Sequence, residues 1–218
     1  MKILTWNLER LTKNKNQLIL AKLNEFDADI LILTETSSKI NLGESYSSIS
    51  TKLLPENYDG IDYKNGENRV TIWTKYKIKA HHKTCDEFTN VCAEIETPLG
   101  LLTLYATIIG VFGGKGERFK NDLKNQINDF EKLLINKQVC IAGDFNVMFS
   151  GYAYPSHLAR QTLNDVFDKL ELTNTTKDIK DNVDHIVVSK NFLMGEPLTW
   201  NEDKKLSDHI GICISITE

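Results

Sequence analysis

Val139-Cys140-Ile141-Ala142-Gly143-Asp144-Phe145-Asn146 sets an acid and an amide two residues apart, directly after an apolar run. Val139 to Ala142 predicts a buried strand, and Gly143 predicts the turn that ends it. Asp144 and Asn146 then project from the strand's C-terminal edge, on the kind of loop that often carries chemistry. Such a pair can activate a nucleophile and orient the phosphoryl group it attacks. Gly-Asp-x-Asn is also a good turn, so the stretch decides nothing without the rest of the chain.

Outward from this stretch, apolar runs recur, several of them ending on polar groups. Upstream, Lys2 to Trp6 predicts a strand that delivers Asn7 and Glu9. Ile19, Leu23 and Phe26 recur at helical spacing, which predicts an amphipathic helix from about Lys13 to Phe26. The run from Ala28 to Leu33 is nearly all apolar, as a strand buried on both faces would be, and Glu35 lies at its end. A serine-rich polar loop is expected from Ser37 to Pro55. Four strands are expected next, at Tyr58–Tyr63, Arg69–Thr74, Ile78–Lys83 and Val91–Glu96, with Asn65-Gly66 turning between the first two. Pro98-Leu99-Gly100 turns into a strand at Leu101–Tyr105. A helix from about Glu117 to Leu134 gathers Phe119, Leu123, Ile127, Phe130 and Leu134 on one face.

Downstream, a helix is expected over Leu158–Leu170 and a strand over Asn182–Val188, with Asp184 near its start. Ser207-Asp208-His209 opens a last strand, Ile210–Ile216. Consecutive strands mixed with a few helices predict two packed sheets flanked by helices.

The 218 residues suit one domain spanning 1–218. A hydrophobic share of 41% and a charged share of 26% are those of an ordinary globular chain with a sizeable core. The net charge of −4 argues against a general, salt-driven grip on nucleic acid and leaves room for a local basic patch. No stretch is long and apolar enough to cross a bilayer. Met1-Lys2 runs straight into a strand, so no signal peptide is expected, and a cytoplasmic monomer with no membrane partner is the expectation. Cys85, Cys92, Cys140 and Cys213 show no CxxC spacing and are expected as reduced thiols.

Five strand ends carry polar groups in chain order: Asn7 with Glu9, Glu35, Asp144 with Asn146, Asp184, and Asp208 with His209. Carboxylates gathered at one sheet edge repel one another unless a divalent cation binds or some stay protonated. Oxygen ligands of this kind suit Mg²⁺ or Mn²⁺. A hard cation beside a His–Asp pair is an arrangement for phosphoryl transfer to water. Each residue alone has a plainer reading: Glu35 solvated, Asp208-His209 capping a turn, His185 packed inside its strand, and His81, His82 and His157 on the surface.

Five blocks, Thr5-Trp6-Asn7-Leu8, Leu33-Thr34-Glu35, Gly143-Asp144-Phe145-Asn146, Val183-Asp184-His185-Ile186 and Ser207-Asp208-His209, are spread over nearly the whole chain. Together and in this order they resemble the endonuclease/exonuclease/phosphatase superfamily. The resemblance implies an α/β fold, a four-layer sandwich of two mixed β-sheets flanked by helices. It implies Glu35 as the main Mg²⁺ ligand, supported by Asn7, Glu9 and Asp208. It implies His209, hydrogen-bonded to Asp184, on the scissile phosphate as general base or as electrostatic stabiliser. Asp144 would position or deprotonate the attacking water and Asn146 would bind a phosphate oxygen, with in-line attack and inversion at phosphorus.

The chain departs from the family at Leu104-Tyr105-Ala106-Thr107, where some members carry a second histidine as leaving-group acid. Tyr105 is the expected substitute, against the alternative of a core tyrosine with a satisfied hydroxyl. Gly110-Val111-Phe112-Gly113-Gly114-Lys115-Gly116 lacks the GxxxxGK[ST] spacing of a phosphate loop. It is expected to lie beside the site, with Lys115 and Arg118 reaching a substrate phosphate. The expected activity is a metal-dependent nuclease on DNA or RNA. The alternatives are a phosphatase or phosphodiesterase on a small-molecule or lipid-headgroup phosphate, and an inactive binding protein of the same fold.

Overall fold

A computed structural model describes residues 1–113 and 115–217. Its strands are β1 (Lys2–Asn7), β2 (Ile30–Ser37), β3 (Ser47–Ser50), β4 (Asn57–Tyr58), β5 (Ile61–Asp62), β6 (Glu67–Thr74), β7 (Lys77–His82), β8 (Asn90–Thr97), β9 (Gly100–Ile108), β10 (Gln138–Asp144), β11 (Leu172–Asn174), β12 (Asp184–Ser189), β13 (Leu193–Met194), β14 (Leu198–Trp200) and β15 (Gly211–Thr217). Its helices are α1 (Asn16–Phe26), α2 (Glu117–Leu133) and α3 (His157–Lys169), with a 3₁₀ turn at Glu9–Leu11.

One sheet runs β13-β15-β1-β2-β6-β3, with β14 also on β15, and the other runs β11-β12-β10-β9-β8-β7. Both are mixed, because β1 pairs parallel with β2 and β9 parallel with β10 while their other neighbours are antiparallel. Each parallel pair is bridged by a helix, α1 in the first sheet and α2 in the second, as a parallel connection requires.

Alternation along the strands sorts side chains into layers. Ile3, Ile32 and Ile72 of the first sheet meet Ile95, Leu104 and Ala142 of the second between the sheets. The opposite face of the first sheet, with Leu4, Trp6 and Leu31, packs on Ile19 and Leu23 of α1. The outer face of the second, with Tyr105, Ile141 and Val187, packs on Phe130 of α2 and Leu163 of α3. The result is the expected four-layer α/β sandwich.

Several boundaries differ from the sequence expectation, for local reasons. The expected polar loop contains β3, an edge strand on β6 whose serines are exposed and whose one apolar residue, Ile49, packs inward. The strand expected over Tyr58–Tyr63 is a ribbon of β4 and β5, turned at Asp59 (φ 55°) and Gly60 (φ 77°), the Asp-Gly pair a tight hairpin favours. Gly143 does not end its strand. Its φ of 133° sits inside β10, where a Cβ would come within 2.0 Å of the Thr107 carbonyl oxygen. β2 likewise runs on past Glu35 to Ser37, and Glu35 itself is in the left-handed region at φ 45°. Such a conformation is uncommon for a non-glycine residue and clusters at functional sites.

Candidate active site

The topology brings strand ends from both sheets to one edge. β1 and β2 finish there, and β15, antiparallel to β1, starts there. In the second sheet β10 finishes at that edge and antiparallel β12 starts there, which sets Asp144 directly opposite Asp184. Like charges in that register repel. Two bonds between the sheets offset the repulsion: Asn7 Nδ2 donates to Asp144 Oδ2 at 3.1 Å, and His209 Nδ1 lies 2.6 Å from Asp184 Oδ2.

Local chemistry fixes each side chain. The Asn146 backbone N–H donates to Asp144 Oδ1 at 3.0 Å, and Asn146 adopts the left-handed conformation (φ 50°) that Asn tolerates. Its Nδ2 donates to the Ile109 carbonyl at 3.0 Å. Between them Phe145 is buried, and its N–H donates to the Val183 carbonyl. Ser207 donates its hydroxyl to the Asn7 carbonyl at 2.6 Å and accepts from the His209 N–H at 3.1 Å. The His209 carbonyl accepts from Trp6 Nε1 and Asn201 Nδ2, so the backbone around the histidine is held from three sides.

Burial pushes the Asp144 carboxyl up to about 7, with the charge of Asp184 adding to the rise and that of His209 opposing it. Burial alone would lower His209, but the charge and hydrogen bond of Asp184 overcome it and raise the imidazole to about 10. Burial also raises Glu35, which His209 partly relieves. The cluster at neutral pH is therefore an imidazolium held between acids.

Asp144, Asp184 and His209 bring ligand-type atoms within 4.8 Å of one another. A protonated ring whose Nδ1 is engaged by Asp184 is a poor metal ligand, so these three form a charge cluster. Oxygen donors next to it suit a hard divalent cation better. Glu35 lies beside Asn7 and within electrostatic reach of His209 and Asp208. Asp184 Oδ1 is buried with no hydrogen-bond partner among the described residues, an acceptor that a bound cation or its water would satisfy.

Of the residues expected from sequence, the structure brings together Asn7, Glu35, Asp144, Asn146, Asp184 and His209, with Asp208 exposed at the rim 3.7 Å from His209 Nε2. Glu9 is turned to other work: its Oε2 pairs with Lys13 at 3.0 Å and accepts the Asp208 N–H at 2.9 Å. Tyr105 does not reach the site. It is fully buried on the helix side of β9, its hydroxyl donates to Asp129 Oδ2 at 2.9 Å, and burial raises it well above 10. Alternation places its side chain away from the neighbouring Ala106, which packs between the sheets. Lys115 is exposed and lines a groove between α2 and α3. Arg118 lies over the Phe112 ring at 3.9 Å and pairs with Asp59 at 3.3 Å. Gly114 of the glycine-rich loop lies outside the described residues. His185 is the packed histidine expected, bonded to Thr176 and to the Val147 carbonyl.

Sequence reasoning gave no role to Ser207, Asn201 or Arg69. Ser207 had a signal, a hydroxyl two residues ahead of a histidine N–H, which is turn-forming chemistry. Asn201 and Arg69 become visible only when distant strands are brought together.

Residues 4–209 match the Endonuclease/Exonuclease/phosphatase family. None of the curated proteins matches the chain. Among solved structures, an AP endonuclease from Archaeoglobus fulgidus superposes with a TM-score of 0.74 at 15% identity, covering 100% of both chains. The endonuclease domain of TRAS1, a telomere-specific non-LTR retrotransposon, gives 0.72 at 15% identity over 98% of this chain and 96% of that one. A 3′ phosphatase, NExo from Neisseria, bound to a product DNA hairpin, gives 0.71 at 14% identity over 100% of both chains. At these identities the likeness is one of fold, and the family match over most of the chain carries the assignment. The chain belongs to the endonuclease/exonuclease/phosphatase family of phosphoric ester hydrolases.

Proposed function

We propose that the protein is a divalent-cation-dependent phosphodiester hydrolase acting on nucleic acid by water attack on phosphorus. The observation that carries this reading is the His209–Asp184 bond at 2.6 Å joining the two sheets beside the Asp144–Asn146 turn. Asp184 fixes Nδ1, which leaves His209 Nε2 and its positive charge to face an incoming phosphate. Asp144, raised to about 7, accepts a proton near neutral pH, as a general base should. Asn146 spends one amide hydrogen on Ile109 and keeps the other for a phosphate oxygen. Glu35 and Asn7 would hold a Mg²⁺ or Mn²⁺ ion, with Asp208 at its edge. The ion would supply charge neutralisation at the phosphate. Structures of the same fold that include an AP endonuclease and a phosphatase bound to DNA support nucleic acid as the substrate.

A second reading, hydrolysis of a small phosphate ester, draws on the net charge of −4, which gives a long polyanion little to grip. The test is a panel of supercoiled plasmid, an abasic-site duplex, single-stranded RNA and a small phosphodiester, each with Mg²⁺, with Mn²⁺ and with EDTA. Metal-dependent cleavage of a nucleic acid is the expected result. Cleavage of the small diester alone selects the second reading, and silence on all four overturns both.

A further inference from the structure

Arg69, in β6, is 4% exposed, and its guanidinium stays charged at any working pH. Among the described residues its two amino groups reach hydroxyls, Thr89 Oγ1 at 3.1 Å and the Tyr63 hydroxyl at 3.3 Å, and its Nε has no partner. Three rings surround it, with centroids 5.1 Å (Tyr58), 5.9 Å (Tyr63) and 5.7 Å (Phe112) away. The carboxylate of Asp122 lies within electrostatic reach and partly balances the charge, but the hydrogen-bonding capacity left on a buried guanidinium still favours a further acceptor.

The side chain borders a cavity of about 150 Å³, whose wall also includes Phe112, Arg118, Asp59, Asp86 and Asp122. The cavity is next to the catalytic edge. Gly110 on its wall follows Ile109, the residue that anchors Asn146, and Arg69 also lines the recess containing Glu35. Two guanidinia face three carboxylates there, so the lining carries no excess of positive charge and does not match an anion. Each carboxylate oxygen accepts more than one bond, so those of Asp86 and Asp122 keep capacity beyond their present partners. Donors beside acceptors beside an aromatic face match the edge and face of a nucleobase. A void of roughly 150 Å³ also takes a single aromatic ring.

We infer that this cavity holds an unpaired nucleobase attached to the phosphate being cleaved. A base stacked and paired in a duplex cannot enter, so the substrate is single-stranded polynucleotide or a free dinucleotide. The inference rests on the phosphoric-ester reading of the neighbouring site. Phe112 supplies the stacking face once Arg118, 63% exposed in its surface pair with Asp59, swings off the ring.

Two measurements separate this inference from the proposed activity. The first is calorimetric binding of nucleoside monophosphates to the whole protein, with ribose 5-phosphate as the base-free control; it needs no cleavage. Binding of the nucleotides about tenfold tighter than the control, lost in Phe112→Ala and in Arg69→Gln, is expected, since stacking on an aromatic side chain is worth that much or more. Equal binding of ribose 5-phosphate would show a phosphate site and overturn the inference. The second is cleavage of a single strand, the same strand with an abasic residue at the reacting position, the matching duplex and a dinucleotide. The wild type should prefer the base-bearing single strand or dinucleotide over the abasic strand and the duplex by about tenfold or more, and Phe112→Ala, a partly exposed loop residue, should erase that preference. The faster of the two base-bearing substrates names the source. Duplex or abasic strand cut as fast as the base-bearing strand overturns the inference while leaving the hydrolase intact.

Discussion

At the scale of single residues, the site works because burial and charge have been set against each other. Asp144 sits where its anion is costly, and its carboxyl is raised from 3.8 to about 7. A folded-state value above the unfolded one means the ionised group weakens the fold above pH 7 and that this cost disappears as pH falls toward 3.8. Asp144→Asn should therefore raise the melting temperature at pH 8 in EDTA while lowering turnover by roughly 10² or more. Calorimetry and a rate assay on the same preparation check both halves. His209 has the opposite character: its folded value, about 10, lies above the unfolded 6.5. The stability it contributes is complete below 6.5 and is lost as pH rises through about 10. Asp184→Asn removes the charge that raises it, so the alkaline limit of activity should move down by several pH units. An unmoved limit in a pH–rate profile would show that His209 is not the group reporting it.

At the scale of elements, the strands that carry the site were legible because they are long apolar runs ending on polar groups. Val139–Ala142 and Ile30–Leu33 could be read directly, since burial on both faces leaves no alternation to misread. The short strands were not legible. β3 has one inward apolar residue, and β13 and β14 have two and three residues to signal with, of which Trp200 alone is buried, so their pairing comes from neighbours far along the chain. Tyr105 was misplaced for a related reason: strand register decides which face a residue takes, and one step moves a side chain from one layer to another. Gly143→Ala tests the element directly. A Cβ would strike the Thr107 carbonyl, which is backbone and cannot swing aside, so a loss above about 1 kcal/mol is expected in denaturant unfolding. His185 ties β12 to Thr176 and Val147 as a neutral ring, with burial lowering it to about 4. Because the unfolded ring takes a proton below about 6.5, stability should fall as pH drops from 6.5 toward 4, by up to about 1.4 kcal/mol per pH unit. Unfolding titrations at pH 7 and pH 5 should show that slope, and His185→Gln should flatten it.

At the scale of the whole molecule, the two sheets serve as two halves of one site. Asn7 and His209 come from the first, Asp144 and Asp184 from the second, and the bonds between them form only when the sandwich closes. The five blocks named residues that the fold gathers at one edge, while the bonds that hold them, such as Ser207 on the Asn7 carbonyl, follow from strand directions that no local pattern records. The described helices include none long and apolar enough to cross a membrane, and all four cysteines are free. The most direct measurement is the hydrolysis rate of a single-stranded oligonucleotide by the wild type and by His209→Gln, each with Mg²⁺ and with EDTA. The arrangement predicts Mg²⁺-dependent cleavage that EDTA abolishes and that the variant lowers by roughly 10² or more. Cleavage that persists in EDTA, or a variant as fast as the wild type, would contradict it.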